Sequence, residues 1–273
     1  MFTASRNFSL WGLIVGLSIA ACRPVPVRNP ADAKLPTAQD ALNRLRQQAS
    51  TLRGLQAMGR VTYFGEQGRL RLKSVLLAQR PVKFRIETLS PLEQPLQVMV
   101  SDGKRLSLLA DGQFYEGKAS PRNVARVLPL PLSSTDLVDA LLGGVPMDDR
   151  YVAKKIDWVD ESSELQRLSI ASEVLGEIVL DFRPKDLTVH RLLLPATNAR
   201  PELLIRFERF EALESPAGMF LARRIKLKLS NEENEVSLKL NEITTNSGMK
   251  PSLFVLTPPA GTSPIDLDFG QTD

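Results

Sequence analysis

The chain has 273 residues, 43% hydrophobic and 24% charged, enough to bury the core of one large domain or two small ones. Its formal net charge is +4, and the basic residues are scattered among acids, which argues against a nucleic-acid partner. With one cysteine, Cys22, and one histidine, His190, intrachain disulfides and Cys/His zinc clusters are excluded, so we expect neither a metal nor a cofactor.

The N-terminus is typical of an exported protein. A short region with Arg6 and no acid precedes an apolar run from Phe8 to Ala21, which is too short to span a membrane comfortably and resembles a secretory signal. The run ends in IAAC, which resembles the bacterial lipobox, where the cysteine is acylated and the chain is cut before it. We predict a lipoprotein signal peptide over 1–21 and lipidation of Cys22. The alternative is an ordinary signal peptide with an incidental cysteine, against which the position of the only cysteine argues.

Residues 22–36 predict a spacer between the membrane and the folded part. The run RPVPVRNPADAKLP contains four prolines and favours a stiff, polyproline-like tether. Arg23 follows the cysteine, where an aspartate retains enterobacterial lipoproteins in the inner membrane. The expected location is therefore the periplasmic face of the outer membrane, with the protein anchored through Cys22.

A helix is predicted to open the globular part. Thr37 can cap it, Asp40 follows three residues later, and Gly54 is predicted to end it. One face of this helix is apolar and comprises Ala38, Ala41, Leu42, Leu45, Ala49 and Leu52.

After this helix the hydrophobic period changes to two. The alternating runs are VKFRIET, PLQVMVSDG, RLSLLADGQFYEG with its Asp-Gly turn, PELLIRFERFE, LARRIKLKLS and EVSLKLNE, the last two joined by SNEENE. Two short helices interrupt them: SPRNVARVL, capped by Ser120, and SSTDLVDALLGG, capped by Ser133 or Ser134 and stopped by Gly143. We predict roughly ten strands in a large curved antiparallel sheet whose apolar face receives the helices.

One hairpin tip carries an unexpected residue. In RIETLSPLEQPLQVMV, two alternating runs flank Ser90–Pro95, whose two prolines suit a turn. Leu92 lies between these prolines, where a polar side chain would be ordinary. Leu92 either projects from the tip and has a function there, or folds back under its own hairpin as a small local contact.

From Leu42 to Pro146 the order of motifs resembles the LolA/LolB superfamily of lipoprotein localisation factors, and in particular LolB-like outer-membrane lipoproteins. The matching signals are Gly59, predicted to open the first strand, the Ser90-Pro91-Leu92 turn, and the PL…L…LLGGVP segment from Pro131 to Pro146. Two features depart from the pattern: Ala140 replaces a family tryptophan before Leu141-Leu142-Gly143, and the region after Pro146 is longer.

The resemblance implies a mainly antiparallel β fold with α (α+β), an unclosed half-barrel over 37–260 covered by the N-terminal and mid-chain helices, with a tail at 261–273. It also implies an apolar cavity for the acyl chains of lipoproteins, delivered by a LolA-like periplasmic carrier and inserted into outer-membrane lipid by a monomeric protein. Leu92 would then be the membrane-insertion residue. The acyl-cavity candidates are the apolar strand residues Phe84, Ile86, Leu96, Val98, Leu106, Leu108, Ile205, Phe207, Leu227 and Leu238, which alternatively form an ordinary core.

Two other functions compete with lipoprotein transfer. A structural or sensory envelope lipoprotein could use the same fold without transferring lipid, in which case the helices should fill the sheet face and leave no lipid-sized void. An enzyme is not expected, because His190 lies in an alternating run and no nucleophile has a base beside it. The acid pairs Asp148-Asp149 and Glu232-Glu233 lie in turn-like stretches, where solvated charge is the usual explanation.

Overall fold

The alternating runs assemble into one 14-stranded sheet in a computed structural model that describes residues 34–65, 68–125, 128, 132–160, 163–198, 201–230 and 235–268. The predicted signal peptide, Cys22, most of the tether and Glu232-Glu233 lie outside these residues. The strands are β1 (Gly54–Gly65), β2 (Gly68–Gln79), β3 (Lys83–Leu89), β4 (Pro95–Ser101), β5 (Arg105–Ala110), β6 (Gln113–Lys118), β7 (Val152–Trp158), β8 (Gln166–Ser172), β9 (Gly176–Arg183), β10 (Thr188–Leu194), β11 (Leu203–Ala212), β12 (Phe220–Leu229), β13 (Glu235–Thr245) and β14 (Ile265–Asp266).

The sheet is open, and its order is β14-β6-β5-β4-β3-β2-β1-β13-β12-β11-β10-β9-β8-β7. Every neighbouring pair is antiparallel except β14 and β6. The predicted class, mainly antiparallel β with α in an unclosed sheet, is confirmed, but the count of roughly ten strands is too low. The edge strand β7, VAKKIDW, is one strand that alternation does not reveal, because none of its residues is fully buried.

Three α-helices lie on one side of the sheet, called the inner face here. They are α1 (Ala38–Ser50), α2 (Pro121–Ala125) and α3 (Ser134–Leu141). The predicted caps form: Thr37 Oγ1 accepts from the Asp40 N–H at 3.1 Å, and Ser133 and Asp136 make a reciprocal capping box. None of the described helices is long and apolar enough to cross a membrane.

The helices divide the inner face between them. Helix α1 contacts β7 and β8, whereas α3 contacts β2 and β3. Between these helices and the sheet lies a continuous core of buried aliphatic and aromatic side chains. Two glycines have roles other than those predicted. Gly54 opens β1 rather than ending α1, and Gly59 lies in the middle of β1 at a bulge, where a Cβ would collide with the carbonyl oxygen of Lys239.

A second, smaller core covers the opposite, outer face of the sheet. It contains Leu77, Val98, Val100 and Phe254, the last from a 3-10 helix at Pro251–Phe254. Arg85 Nη1 donates to the carbonyl of Leu253 at 3.2 Å and fixes this segment on the sheet. The C-terminal part of the chain therefore packs against the outer face of β2 to β4.

The predicted tail at 261–273 contributes a strand. Ile265 and Asp266 pair with β6, and Leu267 is buried. Asp268 accepts from the Lys118 N–H at 3.0 Å and from Asn123 Nδ2 at 2.8 Å. Residues 265–268 thus belong to the sheet domain, and the predicted boundary at 260 is too early.

Candidate functional site

One end of the sheet collects most of the exposed apolar side chains. It is the end at which β1 meets β2, and the antiparallel order brings the β3–β4, β5–β6 and β8–β9 turns to the same end. Of the nine large hydrophobic residues that are exposed in the described part of the chain, seven lie here: Phe64, Leu70, Leu92, Leu96, Val152, Val174 and Ile265. We call these seven side chains the apolar rim. Their common end of the sheet makes the apolar rim a candidate interaction surface.

Leu92 is the most exposed member of the rim, at 82%. A tight turn holds it there: the Ser90 N–H donates to the Gln94 carbonyl at 2.8 Å, and the Glu93 N–H donates to the Ser90 carbonyl at 2.9 Å. Glu93 has a φ of 64° and forms an ion pair with Lys73 of β2. The turn therefore projects Leu92 into solvent, and the alternative that it folds back under its hairpin is wrong.

An apolar cavity lies beneath α3 on the inner face. Its volume is about 60 Å³. Its walls come from the neighbouring strands β3, β2, β1, β13 and β12, closed by α3 and the residues before it: Val61, Tyr63, Leu76, Ile86, Leu128, Leu132, Leu137, Leu141, Leu227, Val236 and Leu238. Tyr63 is paired with Leu70 of the rim, so this cavity lies close to the rim end of the sheet.

Three of the ten predicted cavity residues line this cavity: Ile86, Leu227 and Leu238. Five others are buried elsewhere in the inner core, namely Phe84, Leu106, Leu108, Ile205 and Phe207. The remaining two are misplaced by the prediction. Val98 is buried on the outer face, and Leu96 is exposed at the rim.

The error in β4 has a simple cause. The strand PLQVMVS is buried on both faces, because a second core covers its outer side, where Val98 and Val100 point. Register pairs Ile86 with Met99, so Met99 faces inward and Val98 outward. Alternation alone cannot choose between the faces of a strand that is buried on both.

Four of the eight wall residues that the prediction missed belong to two patterns. Val61 and Tyr63 alternate in RVTYF, and Leu137 and Leu141 form the i, i+4 stripe of α3. Both patterns are visible in the sequence. What the sequence does not show is that α3 lies over β1, β2 and β13, since that depends on the order of strands in the sheet.

The C-terminal end of α3 is anchored by a buried ion pair. Asp139 pairs with Arg80, and its Oδ2 also accepts from the Met147 N–H at 3.2 Å. Burial raises the pKa of Asp139 to about 6, and the neighbouring Arg80 charge only partly opposes this. Arg80 donates in addition to the carbonyl of Leu52, so the ion pair connects α3 to the start of β1.

A larger cleft opens on the other side of α3. Its volume is about 320 Å³, and its apolar wall is formed by Val174, Leu175, Ile178, Leu192 and Leu194. Its lining also includes polar side chains, among them Asp136, Asp139 and Asp148. Asp148 also forms an ion pair with Arg150, whose hydrogen bonds hold the pKa of Asp148 below its usual value.

His190 occupies an ordinary position in β10. Its ring centroid lies 4.6 Å from that of Phe210, and its Nε2 lies 3.2 Å from Thr188 Oγ1. Burial and the nearby Arg183 charge lower its pKa. The contacts of His190 are those of a packed strand residue.

Comparison with solved structures shows which fold this is. The chain aligns with a DUF1329 family protein from Desulfovibrio piger at a TM-score of 0.61 and 13% identity, over 83% of this chain and 98% of that one. A LolA superfamily protein from Nitrosomonas europaea aligns at 0.59 and 12%, over 81% and 99%. A domain from Vibrio parahaemolyticus, named for outer membrane lipoprotein sorting, aligns at 0.56 and 10%, over 80% and 97%.

The chain therefore shares its fold with these three proteins. The identities are too low to show more than the fold, and they do not favour LolB over other branches. No family model matches the sequence, and no curated protein matches it.

Proposed function

We propose that this protein is a lipid-anchored envelope protein that binds acyl chains of lipoproteins beneath α3 and passes them to a membrane at the apolar rim. In this proposal Cys22 carries the anchor, the membrane is the outer membrane, and a LolA-like periplasmic carrier is the donor. The observation that supports it best is the position of the wholly apolar cavity next to the rim end of the sheet.

The cavity must widen before it can hold an acyl chain. Small-molecule sites usually have volumes of about 300–1,000 Å³, whereas this one has about 60 Å³. Helix α3 supplies Leu137 and Leu141 to one wall, so moving it away from β2 and β3 enlarges the cavity directly.

Transfer then requires no covalent chemistry. An acyl chain that leaves the cavity exchanges one apolar environment for another, so the free-energy change is small and release remains possible. Leu92 would lie in the boundary between headgroups and acyl chains, where burial of one leucine contributes about 1.5–3 kcal/mol. That contribution would hold the rim at the bilayer while the chains transfer.

The first test is binding of an acylated lipoprotein. A chain beginning at Ala31, which includes every described residue, is mixed with a triacylated lipoprotein or with its unacylated form, and complexes are counted by native mass spectrometry. A one-to-one complex with the acylated form alone is the expected result. Equal binding of both forms, or of neither, refutes the proposal.

A pair of variants locates the binding site. Val61→Phe adds an aromatic ring at the cavity wall and should abolish the acylated complex, because it fills the space beneath α3. Val179→Phe is the matched control, since Val179 is half-buried in β9 and lines none of the described cavities. Loss of the complex in both variants would show that the effect is not specific to the cavity.

The small cavity also favours a second candidate. A structural or sensory lipoprotein that uses this fold as a scaffold is expected to keep its sheet face filled, and a volume of about 60 Å³ fits that expectation. The same experiment separates the two functions, because a scaffold binds no acylated cargo. Hydrolytic activity is not part of either proposal, and a screen of the purified protein with ester substrates tests for it.

A further inference from the structure

The outer face of the sheet carries a block of cations near its centre. Register places side chains of β2, β1, β13, β12 and β11 side by side in three rows. We call the nine cations in these rows the basic face. The mid-strand row holds Lys73, Arg60, Lys239 and Arg224, the middle row holds Arg71, Lys226 and Arg206, and the row nearest the rim holds Arg69 and Lys228. Two carboxylates, Glu208 and Glu235, share these rows.

The arrangement of these cations destabilises the sheet. Arg60 stands directly across from both Lys73 and Lys239, and Lys239 stands across from Arg224. Like charges directly opposite one another on neighbouring strands are destabilising. A polar face that served only solubility would alternate the signs of its charges, as mixed surfaces ordinarily do.

The available carboxylates leave much of this charge unneutralised. Glu208 pairs with Lys226 at 2.7 Å and with Arg224 at 3.7 Å. Among the described residues, no carboxylate forms an ion pair with Arg60, Arg71 or Lys239. The charge of Arg69 is the largest influence on the pKa of Arg71, and it lowers that pKa. Glu232 and Glu233, in the turn after β12, lie outside the described residues.

The basic face is continuous with part of the apolar rim. Phe64 lies in the row nearest the rim, and the Arg69 guanidinium carbon is 5.4 Å from the centre of its ring. The Lys73–Glu93 ion pair draws the turn that bears Leu92 to this same side of the sheet. The cations and these exposed apolar side chains thus form one surface. The cations would meet the headgroups of a bilayer, and the apolar side chains nearer the rim would meet its hydrocarbon.

We propose that the basic face docks on anionic phospholipid headgroups, with Phe64 and Leu92 at the boundary below them. Neighbouring strands lie about 4.8 Å apart, so each row presents its charges at spacings suited to a surface covered with phosphates rather than to a single one. Docking in this way orients the rim end towards the bilayer. The inference deepens the proposed function, because it supplies the orientation that delivery needs.

The test uses the full chain in vesicles of phosphatidylcholine, with or without phosphatidylglycerol. A Ser237→Cys variant carries a fluorescent label in the middle row, and energy transfer to a headgroup-labelled lipid reports docking. The unsubstituted chain, whose only cysteine is Cys22, gives the background. Transfer should rise when phosphatidylglycerol is present and fall again at high salt.

Charge reversal distinguishes an effect of the basic face from an effect of the protein's net charge. Arg60→Glu/Lys239→Glu, in the Ser237→Cys background, should lower the docking constant by more than about tenfold, since each basic residue near an anionic surface is worth about fivefold. The control, Lys154→Glu/Lys185→Glu, makes the same change in net charge at exposed positions away from the face and should dock normally. Equal transfer in neutral and anionic vesicles, or equal losses in the two variants, overturns the proposal.

The outcome of this docking experiment does not depend on whether the protein binds acyl chains. The Arg60→Glu/Lys239→Glu chain should still form the complex with acylated lipoprotein, because both side chains are on the outer face and the cavity is on the inner one. Loss of docking with an intact complex supports this inference. Normal docking by a protein that binds no acylated cargo would refute the proposed function and leave the basic face as a membrane-docking surface.

Discussion

The LLGGVP segment, which ends α3, leads to a specific prediction about the free energy of unfolding. Gly144 has a φ of +78°, and its N–H donates to the Asp139 carbonyl at 2.7 Å. An added Cβ would lie 2.7 Å from Cε2 of Phe207 and still closer to its Cζ. The backbone of the turn therefore rests directly on the Phe207 ring.

Two separate costs apply to Gly144→Ala. Placing a Cβ in the left-handed region costs about 1–2 kcal/mol, and forcing a methyl group into a packed core costs about 1–3 kcal/mol more. Gly112→Ala is the matched control, because Gly112 has a φ of +74° and nothing within 4 Å of the added Cβ. We expect a loss of about 2–5 kcal/mol for Gly144→Ala and only about 1–2 kcal/mol for the control.

Urea denaturation followed by circular dichroism measures both changes in the free energy of unfolding. The two substitutions act equally on the unfolded chain, so their difference isolates the contact with Phe207. Equal losses would show that Phe207 moves aside without cost. The reasoning that the double glycine fixes the end of α3 against the sheet would then be wrong.

Four further outcomes are expected. Leu92→Glu should lower vesicle binding by about tenfold without affecting the acylated complex, whereas Val255→Glu, at an exposed apolar position away from the rim, should bind vesicles normally. Because burial raises the pKa of Asp139 to about 6, its protonated form stabilises the fold at low pH. That contribution, on the order of 3 kcal/mol, is lost as pH rises from about 4 through 6. Asp139→Asn should therefore make the free energy of unfolding depend less on pH in this range. An unchanged pH dependence in the variant contradicts the raised pKa of Asp139. Phe254→Ala should cost about 3–5 kcal/mol in urea denaturation, and a loss below about 1 kcal/mol would show that the outer core is dispensable. A chain that stops at Ser263 should expose the β6 edge and self-associate in analytical ultracentrifugation; a monomer counts against that role for β14.

Local signals in the sequence predicted local structure well. Thr37 and Ser133 cap the helices as expected, and Asp111-Gly112 forms the β5–β6 turn with positive φ at both residues. The inner faces of β3, β11, β12 and β13 follow directly from alternation. Each of these features depends on residues within one turn of helix or one strand.

The missed features depend on contacts between distant segments. Val98 faces outward because the segment around Phe254, far along the chain, covers that side of β4. The cavity walls combine β1 with β13 and α3, and only the strand order brings these together. The resemblance to the LolA superfamily predicted the open sheet and its cover, but it could not decide which apolar residues pack and which leave a void.

The central position of β1 has a consequence for how the protein forms. Gly54–Gly65 lies between β2, its neighbour in sequence, and β13, which ends at Thr245. Pairing of β1 with β13 closes a loop that includes most of the domain, and such non-local pairing makes folding slow. The centre of the sheet therefore cannot be completed until nearly all of the chain is present. When the chain emerges from its N-terminus, the β1–β2 hairpin forms with one edge unpaired until β13 arrives, and this hairpin is where assistance by chaperones would matter most.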